Sequence, residues 1–142
     1  MLTGLHHINL VVPAGTLSEA AAFYEVTLGL RPRAVPEAQA GTLLWYDIGD
    51  SGEQVHIAFG PASDFETAAA RSSPRHICFR VPDSETLAKV KARIWEHFTR
   101  GGQGAPVHAD EPGKRNSGDH GKEYPERFFA RDYAGNRLEF SL

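Results

Sequence analysis

One cysteine, Cys78, is all the thiol in a chain of 142 residues. An internal disulfide is therefore excluded, and the fold must be held by packing alone. No apolar run approaches the roughly 20 residues that cross a bilayer as a helix. The opening MLTGLHHINLVVPAG has neither the basic stretch nor the apolar length of an export signal. Neither sign of charge is in excess, since 15 Lys and Arg against 18 Asp and Glu leave a formal charge of -3. No basic field of the kind that holds nucleic acid is present. These absences point away from membrane and nucleic-acid partners and toward a cytoplasmic protein with a small-molecule ligand. The length suits a single domain, 1–142.

What is there is one segment written twice. LHHINLVVP occupies 5–13 and RHICFRVP occupies 75–82, with a histidine six positions before the proline in each. After the first copy, Thr16-Leu17-Ser18-Glu19 has the form of a capping box. Ala20 to Leu28 then read as an amphipathic helix stopped by Gly29. After the second copy, Asp83-Ser84-Glu85 forms an N-cap signal, and Leu87, Val90, Ile94 and Trp95 follow at helical spacing to about Phe98. Strand-like runs close each half, at 42–50 and 53–60 and again within 127–142. The expectation is an α+β fold of two paired βαβββ modules, about 1–70 and 71–142, forming a cupped eight-stranded mixed sheet.

Register makes the repeated histidine directional. Side chains alternate along a strand, so Ile8, Leu10 and Val12 share one face, and His7, Asn9 and Val11 share the other. In the second copy Ile77, Phe79 and Val81 take the helix-covered face and leave His76, Cys78 and Arg80 opposite. Cys78 is read as a small buried hydrophobe. In QVHIAF the apolar Val55 and Ile57 flank His56, and in RLEFSL Leu138 and Phe140 flank Glu139. If the halves pair about a pseudo-twofold axis, His7, His56, His76 and Glu139 converge. Three imidazoles and a carboxylate bind a divalent ion such as Zn, Ni, Mn, Co or Fe(II), and ligand type alone does not choose among these.

The order of HHINLVV, FYEVTLGL, VHIAF, RHICFRV and ARDYAGNRLEF resembles the vicinal oxygen chelate superfamily, which includes glyoxalase I, extradiol dioxygenases, epimerases and the fosfomycin and bleomycin resistance proteins. The resemblance implies ligands from the first and last strand of each module, at His7, His56, His76 and Glu139. It also implies a homodimer that can exchange modules, and a substrate bound through two neighbouring oxygens. Four protein ligands on an octahedral ion leave two free positions, which suits a glyoxalase-like lyase, isomerase or epimerase that stabilises an enediolate. Glu139 and His56 are then the candidate catalytic residues. Glutamate stands in bacterial glyoxalase I where this chain has His56.

The resemblance leaves two alternatives, a metal-free binding protein of the bleomycin-resistance kind and an Fe(II) dioxygenase. The extradiol branch carries tyrosine where this chain has Phe129, and the fosfomycin branch carries threonine where it has Asn9. Asn9, Arg80, Phe129 and Tyr124 are the candidate substrate contacts, with Arg80 suited to an anionic group. The second half is 14 positions longer between its ligands than the first, 63 against 49. The extra length falls in the Gly- and Pro-rich stretch 100–127, read as a lid offering His108, Lys114, Arg115, His120, Lys122 and Tyr124.

Overall fold

Alternating side chains make His7–Val12 a strand, β1, in the computed structural model, which describes residues 1–122 and 126–142. Tyr124, a candidate substrate contact, lies outside the described residues. The helix that follows, α1, begins as Leu17–Ala20 and continues as a π-helical segment, Ala21–Thr27. Its wider winding shows in the Leu28 N–H donating to the Phe23 carbonyl at 2.9 Å, a five-residue step. The capping box expected at Thr16 does not form. The Thr16 hydroxyl instead donates to the Pro13 carbonyl at 2.7 Å and lies 2.9 Å from the Tyr133 hydroxyl. Gly29, at φ +77°, turns the chain out of the helix as the sequence requires.

Three strands complete the first module: β2 (Arg31–Arg33), β3 (Leu43–Asp47) and β4 (Gln54–Phe59). A short helix, α2 (Ala68–Arg71), leads to β5 (His76–Arg80). Helix α3 (Ser84–Arg100) starts where predicted, with the Asp83 carboxylate accepting the Thr86 N–H at 2.7 Å. β6 (His108–Ala109), β7 (Arg127–Arg131) and β8 (Arg137–Ser141) follow. The α+β fold of two βαβββ modules is thus adopted, with its eight strands divided between two four-stranded mixed sheets of order β1-β4-β3-β2 and β5-β8-β7-β6. The first strand of each module pairs in parallel with the last, and each lies at a sheet edge.

The apolar faces of both sheets and the two long helices meet in one core. Phe23, Tyr24, Tyr46, Val55 and Ile57 come from the first module, and Ile94, Phe128, Leu138 and Phe140 from the second. Phe128 and Phe140 stack at 4.7 Å. A polar bridge crosses between modules inside this packing. The Tyr24 hydroxyl donates to Asp132 at 2.7 Å, Asn136 Nδ2 donates to Asp132 at 2.8 Å and to the Val11 carbonyl at 2.9 Å, and Asp132 has no exposure. Among the described residues no helix is long and apolar enough to cross a membrane.

Candidate functional site

The face of each sheet opposite the core carries the paired side chains that alternation predicts. In the first module β1 and β4 run parallel with Asn9 opposite His56, which brings His7 diagonally beside it. The His7 and His56 rings stack at 4.2 Å, and Trp45, opposite His56 on β3, stacks on the other side at 4.6 Å. Gln54 orients His56. Its Nε2 donates to Asp47 at 2.9 Å, so its oxygen faces His56 Nε2 at 3.1 Å and accepts that N–H. The lone pair of His56 is thereby left on Nδ1.

Burial first, and then the charges of His7 and His6, hold the His56 ring below its ordinary 6.5. A histidine depressed in the fold favours its neutral form there. The stability it contributes is present above 6.5 and is lost as the pH falls toward the folded value. His56→Asn is expected to flatten the fall of unfolding free energy with acidification just below 6.5, measured by urea titration across that range.

The second module repeats the geometry with a carboxylate. Cys78 is opposite Glu139, and His76 lies diagonally beside it. Cys78 is exposed on this open face rather than buried as a core hydrophobe, because its parity is that of His76. His76 Nδ1 donates to the Pro74 carbonyl at 2.9 Å, and Nε2 lies 2.8 Å from Glu139 Oε2. With Nδ1–H committed to a carbonyl, a neutral His76 presents a lone pair to the carboxylate. Only a proton or a metal cation between them makes that approach favourable.

The other carboxylate oxygen accepts Arg127 Nη1 at 3.0 Å, with both side chains nearly buried. These donors are of the type, and in the pairwise orientation, that a borderline divalent ion accepts. They come as two pairs, however. Among the described residues no group of three or more His, Cys, Asp or Glu side chains is placed to hold one ion.

The remaining expected contacts distribute around these pairs. Asn9 and His76 line a cleft of about 560 Å³ between the β1 and β5 edges. Phe129 is buried at 3% exposure, with Arg127 over its ring at 5.1 Å and Arg137 at 4.4 Å. Arg80 is exposed at the end of β5 on the His76 face. Of the loop residues, His108 lines a pocket of about 200 Å³ with Phe129, Arg131 and Arg137. Lys114, Arg115 and Lys122 are exposed, and His120 lies 3.1 Å from the Asn116 carbonyl.

Part of the loop folds onto Phe129. The Asp110 carboxylate accepts N–H groups from Ser117 at 3.1 Å and Phe129 at 2.8 Å, and Arg127 Nη2 donates to the Asp119 carbonyl at 2.7 Å. At Gly118 a Cβ would fall on the Phe129 ring. Gly118→Val is therefore expected to lift the segment and to speed amide exchange across 110–122, read by mass spectrometry. Sequence reasoning missed Trp45, Gln54, Asp110, Arg127, Arg131 and Arg137. Arg127 and Arg131 share the Phe129 parity and Arg137 that of Glu139, so for these three the signal was alternation itself.

A model of the Glyoxalase/Bleomycin resistance protein/Dioxygenase superfamily matches residues 4–140. Among solved structures, a glyoxalase family protein from Bacillus anthracis is 23% identical at TM-score 0.68, with 99% of this chain and 94% of that one covered. A variant of the fosfomycin resistance protein FosX from Listeria monocytogenes, complexed with Mn(II) and a dihydroxypropylphosphonic acid, is 18% identical at TM-score 0.68, covering 99% and 90%. TnmS3, an antibiotic binding protein from Streptomyces, is 16% identical at TM-score 0.62, covering 99% and 95%. No curated protein sequence matches the chain.

Proposed function

The chain belongs to the Glyoxalase/Bleomycin resistance protein/Dioxygenase superfamily, and from that premise we propose that it is a divalent-metal-dependent lyase, isomerase or epimerase acting on a small substrate with two neighbouring oxygens. The observation that carries this reading is the convergence of His76 Nε2 and Glu139 Oε2 at 2.8 Å with His76 Nδ1 already engaged. A bound divalent ion would supply Lewis acidity to the two substrate oxygens. Zn, Ni, Mn, Co and Fe(II) all suit the donor set. FosX, a relative in fold, is complexed with Mn(II).

This chain's own residues do the rest. Glu139 Oε2, which would hold the ion through one lone pair, is the group to take the proton from the carbon beside the carbonyl on the other and to give it back as the reaction completes, while Arg127, bound to Oε1, fixes the plane of the carboxylate. Phe129 stands opposite Glu139 on β7, and the folded loop segment packs on its ring. Because each ligand pair lies on its own sheet, away from the shared core, the reading places His76 and Glu139 of one copy with His7 and His56 of a second copy in a homodimer.

A mixing experiment tests this. A chain with both first-module ligands replaced, H7A/H56A, and one with both second-module ligands replaced, H76A/E139A, should each lose metal. Refolded together, they should regain it in the mixed dimers, measured by elemental analysis after gel filtration. Recovery of no metal in the mixture, with wild type retaining it, would exclude a site shared between copies.

The metal-free binding protein is the second reading. It is favoured by the Trp45–His56–His7 stack, three nearly parallel rings that engage one another on the open face and need no ion between them. Wild type that holds no ion after exposure to each of the five metals would decide for it.

A further inference from the structure

One row across the second sheet carries four basic side chains in register. His108 is opposite Arg131, Arg131 is opposite Arg137, and Arg137 is opposite His76. Directly opposed residues share a face, with Cβ atoms about 5 Å apart, and like charges so placed repel. Carboxylates offset it at two points only among the described residues, Glu139 beside His76 and the charge of Asp132 acting on Arg131, and neither forms an ion pair with Arg131 or Arg137. Arg131 donates only to carbonyl oxygens, of Gly135 at 2.9 Å and Ser73 at 2.8 Å. Arg137 lies on the Phe129 ring and has no ion pair among the described residues. Glu139, two residues from Arg137 on the same strand face, is already shared by His76 and Arg127. Burial first, and then the charge of Arg137, hold the Arg131 guanidinium below its ordinary range, against the opposing charge of Asp132.

Both arginines face open volume. They line the 560 Å³ cleft and the 200 Å³ pocket alike, and so form the wall between them. Asp64 is the one carboxylate among the residues lining the larger cleft, and none lines the smaller. Two guanidinium groups side by side, neither in an ion pair among the described residues and both next to a cleft of substrate size, match an acceptor with two or more oxygens in one plane or tetrahedron.

We propose that the Arg131–Arg137 pair, flanked by His108 and Ser117, is a binding site for the oxyanion group of a small ligand, a carboxylate or a phosphoryl group. Along β8 the site stands one side-chain repeat, about 7 Å, from Glu139. A substrate anchored there by its anionic end reaches Glu139 with its neighbouring oxygens. That assignment of substrate class rests on the metalloenzyme reading, whereas the anion site itself does not.

The test uses full-length protein treated with chelator. Inorganic phosphate and acetate are titrated separately against chloride at equal ionic strength, with thermal unfolding and calorimetry as readouts. At least one of the two should raise the wild-type Tm, and the more effective one identifies the group. Arg137→Gln should weaken binding of that anion about tenfold or more, and should unfold no lower than wild type when no anion is present, because it removes the repulsion. Arg137→Lys keeps the charge without the fork and should bind between the two.

Binding by Arg137→Gln equal to wild type, or no response of wild type to either anion beyond that to chloride, overturns the site. Anion binding by a protein that retains no metal leaves the site standing and removes only the metalloenzyme reading. Metal retention without anion binding does the reverse.

Discussion

Glu139→Gln is expected to lower affinity for a divalent ion by about a hundredfold or more, read by competition with a coloured chelator and by metal content after dialysis. Three facts about Glu139 set this size. It is the one carboxylate of the four candidate ligands, so the amide removes the only formal negative charge facing the ion. It is 7% exposed, so water does not readily replace it. Its Oε2 is the atom that approaches His76. The amide also weakens the contact to Arg127, which holds the other carboxylate oxygen. Arg127→Ala should act more weakly, by roughly tenfold, since it orients the carboxylate without being a donor to the ion. Wild type and Glu139→Gln carrying equal metal after dialysis would remove Glu139 from the site.

Asp132→Ala is expected to destabilise the fold by roughly 3 to 5 kcal/mol, seen as a fall in the urea midpoint. Asp132 gathers donors from three places: the Tyr24 hydroxyl, the Asn136 side chain, and the backbone N–H groups of Ala134 and Asn136. Burial pushes its carboxyl up while these donors pull it down, and the net direction is up. Removing the acceptor strands buried donors from both modules. It also frees Asn136, whose side chain reaches the Val11 carbonyl on β1. Tyr24→Phe removes one donor and one hydrogen bond together, and should cost about 1 kcal/mol. If the two variants unfold alike, the bridge contributes less than its geometry implies.

The faces of the strands were legible because the side-chain period of a strand is two, and a single polar residue between apolar ones declares its side. His7, His56, His76 and Glu139 all lie on the faces that alternation assigned. What alternation does not carry is the relation between sheets, which depends on how α1 and α3 pack in the common core. The grouping of the four candidate ligands into two pairs was therefore not written in any local pattern. β2 and β6 escaped because three and two residues are too few for a period, and Pro32 masks the first of them. The π-helical winding of Ala21–Thr27 was equally hidden, since its apolar residues fit ordinary helical spacing. Thr16 looked like a cap because its side chain is the right type, but Tyr133, distant in sequence, engages its hydroxyl.

The two modules set their pairs at the same offset, His7 two positions before the partner of His56 and His76 two positions before the partner of Glu139. An exchange at the last-strand position of either module, His56→Glu or Glu139→His, thus alters the donor and leaves its backbone anchor in place. Each exchange steps the formal charge of the candidate ligand set by one unit at constant spacing. Under the proposed function the scaffold is then a dial for metal hardness, adjustable one residue at a time.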